Sequence, residues 1–420
     1  MKKTSIFLII IIAIAISSCK DKYIEIFTAN SPIYLSYETL RNSVKQTDAK
    51  VLENPGKFYF KDNYIFVVEK MKGIHIINNT DPANPKNLTF IEIPGNVDLA
   101  IKGTVLYADS YIDMIAIDIS DLSNIKEIKR IEKILPYTLP PTVEDYPIAK
   151  IDEDKGVVVD WEIKKVRQVV DNNYYPIYKW ENNFALSDRT YVNTGGLSNT
   201  GIGVGGSMAR FSIKDNTLYA VDVAQLHVLN ISTPADPKSI NDINVGWDIE
   251  TMFILEDNLF FGTRTGMLIY DISSPTSPRY ISTFWHMTSC DPVIVLDTLA
   301  YITLRGGNIC GNNLNELNVV SIADLENPNL LKIYPMSGPY GLGIDDNVLF
   351  ICDGDAGLKI YDASDPLAID DNMLAHFPEI QAFDVIPING VLILIGEDGI
   401  YQYDYQDIEN ITFISKIEIG

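Results

Sequence analysis

The feature that most constrains this chain is a phrase that occurs seven times: an apolar strand ending in Asn, Asp or Ser, then a turn rich in Asp, Asn, Ser and Pro. Successive copies are 40, 112, 41, 50, 41 and 42 residues apart. A unit of about 41 residues is the length of a four-stranded propeller blade. The strand-ending residues are Asn78, Asp118, Asn230, Asp271, Ser321, Asp362 and Asp404.

The third copy indicates why each unit forms four strands. Residues 210–214, 218–222, 226–231 and 239–245 are short apolar or alternating segments, separated by turn residues. Prolines 234 and 237 fall in the last turn, where no ladder hydrogen bond is lost. Such sheets must stack to bury both faces. We therefore predict an all-β fold, a seven-bladed β-propeller of four-stranded blades over residues 58–420; an open solenoid is the alternative.

The third strands read MIAID, LHVLN, MLIYD, LNVVS and LKIYD, and at these segments the chain resembles the LVIVD-repeat family of bacterial and archaeal surface proteins. The resemblance covers residues 58–420 apart from one insertion. It implies a propeller on the cell surface, and it implies no activity.

The spacing of 112 marks an insertion at residues 137–206, between blades two and three. Its residues 156–166 (GVVVDWEIKKV) predict a strand or hairpin, and an aromatic group that includes Trp180 follows. The glycine-rich end lacks the Lys-Ser/Thr of a phosphate-binding loop, which favours a flexible loop. An eighth, degenerate blade is the alternative. Residues 19–57 precede the first repeat, and we expect them to pack on the propeller or to supply a closing strand.

Residues 1–18 have the pattern of an export signal. Lys2 and Lys3 precede an apolar run, residues 6–16, that is too short to span a bilayer. The run ends in Ser17-Ser18-Cys19, which resembles the lipobox of bacterial lipoproteins and implies cleavage and lipidation at Cys19. An ordinary signal peptide is the alternative. We expect a lipid-anchored outer-membrane protein exposed at the cell surface, which touches the membrane only through its anchor.

The formal net charge is −23, and loss of Lys2 and Lys3 with the signal makes it −25. This charge argues against nucleic-acid and anionic-lipid partners, which require basic patches. It is compatible with a bound cation.

In a propeller, the starts of the first strands and the turns between second and third strands meet on one face, here named the channel mouth. Loops on such a rigid scaffold commonly carry function. The aligned strand starts are Lys57, Asp98, Arg210, Thr251, Asp291, Gly341 and Asp384, and the turns add Glu69, Asp109, Asp222, Arg264, Arg305, Asp353, Asp355, Glu397 and Asp398.

From this face we select a candidate ligand-binding set. Converging carboxylates suit Ca²⁺, which takes six to eight oxygen ligands, or line a sugar or peptide pocket. The alternative is structural: the aspartates cap backbone N–H groups and the arginines neutralise them. The set comprises Asp98, Arg210, Asp291, Arg305, Asp384 and Trp180.

Catalytic patterns are scarce in the sequence. His75 and His227 share one third-strand position that varies between copies, which predicts a solvated face. The sequence contains no linear hydrolase, zinc-protease or redox-cysteine motif. Cys290 and Cys310 lie at the same end of one hairpin in blade five, which predicts a disulfide in an oxidising compartment. Cys352 is predicted to be a buried thiol; two free thiols at Cys290 and Cys310, or a pairing that involves Cys352, are the alternatives.

These observations favour a monomeric binding module that contacts a glycan, a peptide or a partner protein through its channel mouth. The competing hypothesis is a propeller hydrolase or lyase, Ca²⁺-dependent, that uses Asp98, Asp291 and Asp384.

Overall fold

The computed structural model describes residues 23–170, 204–205, 209–222, 224–246, 249–286, 292–306 and 314–420. Two compact units are distinguished: residues 1–37 with 138–186, and residues 38–137 with 187–420. The second unit is a seven-bladed β-propeller, and each blade is an antiparallel sheet of four strands from one continuous segment. The prediction of seven four-stranded blades is confirmed, and the open solenoid is excluded.

The strands of blades one to four follow the chain from the channel outward. Blade one contains β3 (Pro55–Lys61), β4 (Tyr64–Glu69), β5 (Gly73–Asn78) and β6 (Lys86–Glu92). Blade two contains β7 (Leu99–Lys102), β8 (Val105–Ser110), β9 (Asp113–Asp118) and β10 (Lys126–Ile131). Blade three contains β13 (Phe211–Lys214), β14 (Thr217–Val221), β15 (Gln225–Asn230) and β16 (Lys238–Asn244), and blade four contains β17 (Ile249–Leu255), β18 (Asn258–Thr263), β19 (Gly266–Asp271) and β20 (Arg279–Trp285).

Blades five to seven repeat the same order. Blade five contains β21 (Val293–Leu296), β22 (Leu299–Arg305), β23 (Asn315–Ser321) and β24 (Asn329–Pro335). Blade six contains β25 (Leu342–Asp345), β26 (Val348–Cys352), β27 (Leu358–Asp362) and β28 (Met373–Phe377), with a 3₁₀ turn at Ile369–Asp371. Blade seven contains β29 (Ala382–Ile388), β30 (Val391–Gly396), β31 (Gly399–Asp404) and β32 (Thr412–Glu418).

The polar residue that ends each third strand explains the repeated phrase. In six blades its side-chain oxygen accepts a hydrogen bond from the backbone N–H two residues later, at 2.8 or 2.9 Å. This is the turn that Asn and Asp side chains favour, because they replace a backbone acceptor. The six residues are Asn78, Asp118, Asn230, Asp271, Asp362 and Asp404.

Tyrosines join neighbouring blades. The hydroxyl of Tyr107 in blade two donates to the carbonyl of Pro234 in the last turn of blade three, at 2.9 Å. Tyr219 in blade three repeats this contact on Pro275 of blade four, at 2.8 Å. The aromatic rings are buried, so a hydroxyl without a partner would be costly, and the turn carbonyl of the next blade supplies the acceptor. The prolines of the repeat therefore position a carbonyl as well as ending a strand.

Ring closure uses contacts between the first and last blades rather than a strand that completes a blade. Apolar residues of both blades form one cluster, which includes Phe58, Ile65, Ile386 and Ile393. The buried amides of Asn79 and Gln402 exchange two hydrogen bonds of 2.8 Å. Beside the cluster, the N–H of Gly420 donates to the carbonyl of Leu52 at 2.8 Å.

Of the two expectations for the segment before the first repeat, residues 45–48 fulfil packing on the propeller rather than a closing strand. After a short helix, α1 (Tyr37–Arg41), strand β2 (Lys45–Asp48) adds to the outer edge of blade one, on β6. Within the insertion, β12 (Val204–Gly205) adds to the inner edge of the same blade, on β3. The described part of residues 137–206 contains no four-stranded sheet, so it does not provide an eighth blade.

The first unit is built on a long two-stranded ribbon. Strand β1 (Tyr23–Leu35) pairs antiparallel with β11 (Val157–Val170), which follows a 3₁₀ turn at Glu153–Lys155. The strand predicted at residues 156–166 is thus confirmed, and its partner is the N-terminal segment. Buried Asn30 fixes the adjoining loop: its side chain donates to the carbonyls of Val143 and Tyr146 and accepts from the Val143 N–H.

The amide pair predicts a measurable role in closing the ring. Gln402→Leu should lower the free energy of unfolding by about 1–3 kcal/mol, because Asn79 keeps a buried amide that has lost its partner. The double variant Asn79→Leu/Gln402→Leu should lose less than the sum of the two single losses. Urea unfolding of the four proteins gives the coupling energy. Strictly additive losses would show that the two amides do not act as a pair.

Candidate functional site

The aligned strand starts lie at the channel mouth as the repeats predict. Lys57 lies within β3, Thr251 within β17 and Asp384 within β29, while Asp98, Arg210 and Gly341 directly precede the first strands of their blades. Asp291 and Trp180 lie outside the described residues, as do Cys19, Cys290 and Cys310. The predicted disulfide and lipidation therefore stay predictions.

Asp98 connects three blades. Its carboxylate forms a 2.8 Å ion pair with Lys57 of blade one and accepts the backbone N–H groups of Arg210 and Phe211 in blade three. Both charged side chains are largely buried. Burial lowers the pKa of Lys57, and the charge of Asp98 only partly opposes this change. Asp98 therefore has the structural role considered for the aspartates at strand starts: it caps backbone N–H groups.

Carboxylates from the turns between second and third strands hold the incoming chain of their own blade. Asp109 accepts hydrogen bonds of 2.9 Å from the N–H groups of Val97 and Asp98, and burial raises its pKa to about 6. Asp353 binds the N–H groups of Ser337 and Gly338, and Glu69 binds those of Glu53 and Asn54. These carboxylates therefore stabilise the propeller scaffold.

The prediction that His75 and His227 lie on a solvated face is wrong. His75 is 1% exposed and His227 is 3% exposed. Each ring contacts the turn carboxylate of its own blade: His75 Nε2 lies 3.2 Å from Glu69, and His227 Nε2 lies 3.1 Å from Asp222. The position varies between blades because several side chains can bind that carboxylate; in blade six Lys359 pairs with Asp353 at 2.6 Å.

Arg210 and Arg305 belong to a charge group centred on a residue that the sequence analysis missed. Glu250, adjacent to Thr251, has a side chain that is 12% exposed. Partial burial raises its pKa, and the charges of Arg264, Arg210 and Arg305 oppose this change. Arg264 Nε lies 3.4 Å from its carboxylate. The guanidinium of Arg305 also stacks 4.2 Å from the ring centre of Tyr340. Glu250 directly precedes Thr251, the aligned strand start of blade four, so a search of the neighbouring positions could have identified it.

Asp384 differs from Asp98. It is fully buried, and neither carboxyl oxygen has a hydrogen-bond partner among the described residues. Burial raises the pKa of this carboxyl well above its usual range, and the charge of Lys57 opposes the change. A Cβ at Gly341 would lie 2.2 Å from its Oδ1, so the carboxyl packs closely on the neighbouring blade.

The calcium hypothesis gains no support from the described residues. They contain no group of three or more His, Cys, Asp or Glu side chains that could hold a metal ion. Asp98 binds Lys57, and Asp384 is buried at the strand start of another blade. Asp291 lies outside the described residues. Cys352 is a buried free thiol, as predicted.

A polar cavity lies at the seam between blades seven and one, on the channel-mouth side. Its volume is about 320 Å³. The segments that lead into the first strands of blades one, six and seven line it, together with the turn that follows β30 in blade seven. Its walls include Glu53, Lys70, Tyr340, Gln381, Phe383, Gly396 and Glu397.

At the cavity, the sequence of blade seven differs from that of three other blades. The sixth residue from the start of the second strand is Glu69 in blade one, Asp222 in blade three and Asp353 in blade six. In blade seven the sixth residue is Gly396, which has no side chain. Blade seven therefore offers no side-chain carboxylate to the incoming chain at this position, and the next residue, Glu397, is exposed at the cavity wall.

Comparison with known proteins finds the sequence model of the LVIVD repeat at residues 96–132. No curated protein matches significantly. Among solved structures, the computationally designed protein Ika8 is similar, with a TM-score of 0.50 and 8% identity over 93% of this chain and 90% of that one. Hsv2 of Kluyveromyces lactis has 10% identity and a TM-score of 0.47 over 87% of this chain and all of that one.

At 8% identity, the similarity to Ika8 supports the fold alone. In the part of the chain that the structure describes, no helix has the length and apolarity to cross a bilayer.

The buried histidine of blade three predicts a pH-dependent stability. Burial lowers the pKa of His227, but hydrogen bonds with Asp222 and Asp242 outweigh burial, so its pKa is raised overall. A raised folded-state pKa stabilises below about pH 6.5 and loses this contribution as pH rises through the folded value. His227→Gln should therefore cost more stability at pH 6 than at pH 8.5.

Urea unfolding midpoints at these two pH values measure the effect. His376→Gln is the control, because His376 is exposed and its Nε2 bonds the backbone carbonyl of Ala356 rather than a carboxylate. Equal losses at both pH values for His227→Gln would contradict a charged, carboxylate-bound imidazole.

Proposed function

We propose that this chain, which belongs to the LVIVD-repeat β-propeller proteins, is a binding module that takes a polar ligand into the seam cavity at its channel mouth. The observation that carries the proposal is the cavity itself, about 320 Å³ with charged, amide and aromatic walls. Small-molecule sites are concave and combine apolar walls with a few placed polar groups.

The distribution of charge favours the cavity over the channel axis. Asp98, Asp109 and Asp353 bind backbone N–H groups or lysines, so they offer little to a ligand. By contrast, Glu397 is exposed at the cavity wall. The ring of Tyr340 packs edge-on against Phe383, 5.2 Å between centres, and provides a rigid apolar wall.

The chemistry of these walls suits the end of a glycan or a short peptide segment. Carboxylate and amide groups of Glu397 and Gln381 can bind hydroxyl or N–H groups, while the aromatic pair covers an apolar face. The competing hypothesis of a hydrolase or lyase has no cluster of three or more His, Cys, Asp or Glu metal ligands among the described residues to support it.

A ligand screen tests the cavity. The chain from residue 19 with Cys19→Ser is applied to glycan and peptide arrays, and the affinity for each hit is measured by calorimetry. Gln381→Ala/Glu397→Ala should weaken binding at least about tenfold, equivalent to roughly 1.4 kcal/mol.

The matched control is Gln406→Ala/Glu409→Ala, which removes the same two residue types from an exposed turn at the opposite end of blade seven. If the control weakens binding as much as the cavity variant, or if neither variant affects it, the ligand does not occupy the cavity.

We further propose that the protein is a lipoprotein of the outer membrane, anchored through Cys19. The support is the basic start, the apolar run of residues 6–16 and the small residues before Cys19. Cys19→Ser should move the protein from the membrane to the soluble fraction and abolish labelling by radioactive palmitate. Cys290→Ser serves as the control and should retain both. A Cys19→Ser protein that still incorporates palmitate would contradict lipidation at this residue.

A further inference from the structure

The ribbon of β1 and β11 has two faces of different character. Directly paired residues of antiparallel strands lie on the same face of a sheet. One face therefore carries five register pairs, which we name the basic apolar face: Ile24 with Val169, Ile26 with Arg167, Thr28 with Lys165, Asn30 with Ile163, and Pro32 with Trp161.

Large aliphatic side chains are exposed on this face. Ile24 is 54% exposed, Ile26 is 66% exposed, and Val169 is 52% exposed. Ile24 and Val169 are direct partners, and Ile26 is two residues along the same face. A contiguous exposed apolar patch beside basic residues is typical of an interaction surface.

Charge separates the two faces. The basic apolar face carries Lys165 and Arg167 and no acidic residue. The opposite face carries Glu25, Asp160 and Glu162 with one lysine, Lys164, which pairs with Glu162. One face is therefore positive and apolar, and the other is negative, in a chain whose net charge is −23.

The chain also limits where this face can lie. Ile24 is five residues after Cys19, a span of at most about 18 Å when fully extended. If Cys19 carries lipid, as proposed above, the exposed end of the ribbon cannot move far from the bilayer surface. Aliphatic side chains with flanking Lys and Arg are the composition that binds lipid–water interfaces.

We propose that the basic apolar face of the ribbon docks on an anionic phospholipid surface. The proposal rests on the anchoring at Cys19 for its location, and it extends the sequence-based expectation that the anchor is the only membrane contact. The negative net charge argued against binding to anionic lipid, but net charge is a property of the whole chain. The ribbon places positive charge and apolar side chains together on one local face. A single lipid chain gives marginal, reversible binding, so a second contact is physically useful.

Vesicle flotation of the unlipidated protein tests the proposal. The chain from residue 19 with Cys19→Ser is mixed with vesicles of phosphatidylethanolamine and phosphatidylglycerol, and with vesicles of phosphatidylcholine alone. We expect binding to the anionic vesicles, weakened by salt, and little binding to the neutral ones. Ile24→Asp/Ile26→Asp should reduce the bound fraction about tenfold.

Two matched controls use the same substitutions elsewhere. Leu330→Asp/Ile333→Asp changes two aliphatic residues of β24 that are 42% and 43% exposed, and it should leave binding unchanged. Lys165→Glu should weaken binding, whereas Lys164→Glu changes the adjacent lysine on the opposite face and should have little effect. Circular dichroism checks that each variant is folded.

Several results would overturn the proposal. These are absence of vesicle binding by the parent protein, equal effects of Lys165→Glu and Lys164→Glu, or loss of binding only in the β24 variant. A dimer in sedimentation that Ile24→Asp/Ile26→Asp makes monomeric would assign the face to a second copy instead. Because the test protein has no lipid, a failed lipidation at Cys19 and a failed ribbon contact give separate results.

Discussion

The propeller depends on the burial of both faces of each blade between its neighbours. Inner-strand residues such as Ile65, Leu218 and Leu349 are fully buried, which no isolated four-stranded sheet can achieve. The first and last blades would each leave one face uncovered unless the last blade packs on the first. The apolar cluster and the Asn79–Gln402 pair provide this contact. Both act without a shared strand, and the backbone hydrogen bond from Gly420 to Leu52 adds a main-chain contact at the same junction.

The period of the repeat predicts the blades because it arises from local chemistry. In the third copy the strand boundaries differ from the sequence-based ones by one residue, since apolar alternation and Asx turns are encoded within a few positions. The ribbon was not predictable in this way. Its two strands, at Tyr23–Leu35 and Val157–Val170, are more than a hundred residues apart, and neither sequence specifies its partner.

The site was predicted less completely than the fold, because the alignment of repeats identifies positions but not partners. Asp98 and Asp384 occupy equivalent strand starts, yet one forms an ion pair with Lys57 and the other is buried without a hydrogen bond among the described residues. His227 illustrates the same limit. The residue type at this position varies between blades, which suggested that the side chain is exposed to solvent. The ring is instead buried against Asp222, which lies five residues away across a turn.

Departures from the repeat are therefore more informative about function than the repeat itself. A carboxylate at the sixth position of the second strand, as in Glu69 and Asp353, holds the incoming chain and closes the blade at the channel mouth. Gly396 of blade seven cannot do this, and the cavity lies beside it. This cavity lies at the seam where blade seven packs on blade one and the ring closes. At this seam the turn after β30 carries Gly396 and the exposed Glu397 where blades one, three and six carry a buried or half-buried carboxylate, so the charged group of blade seven lines the cavity.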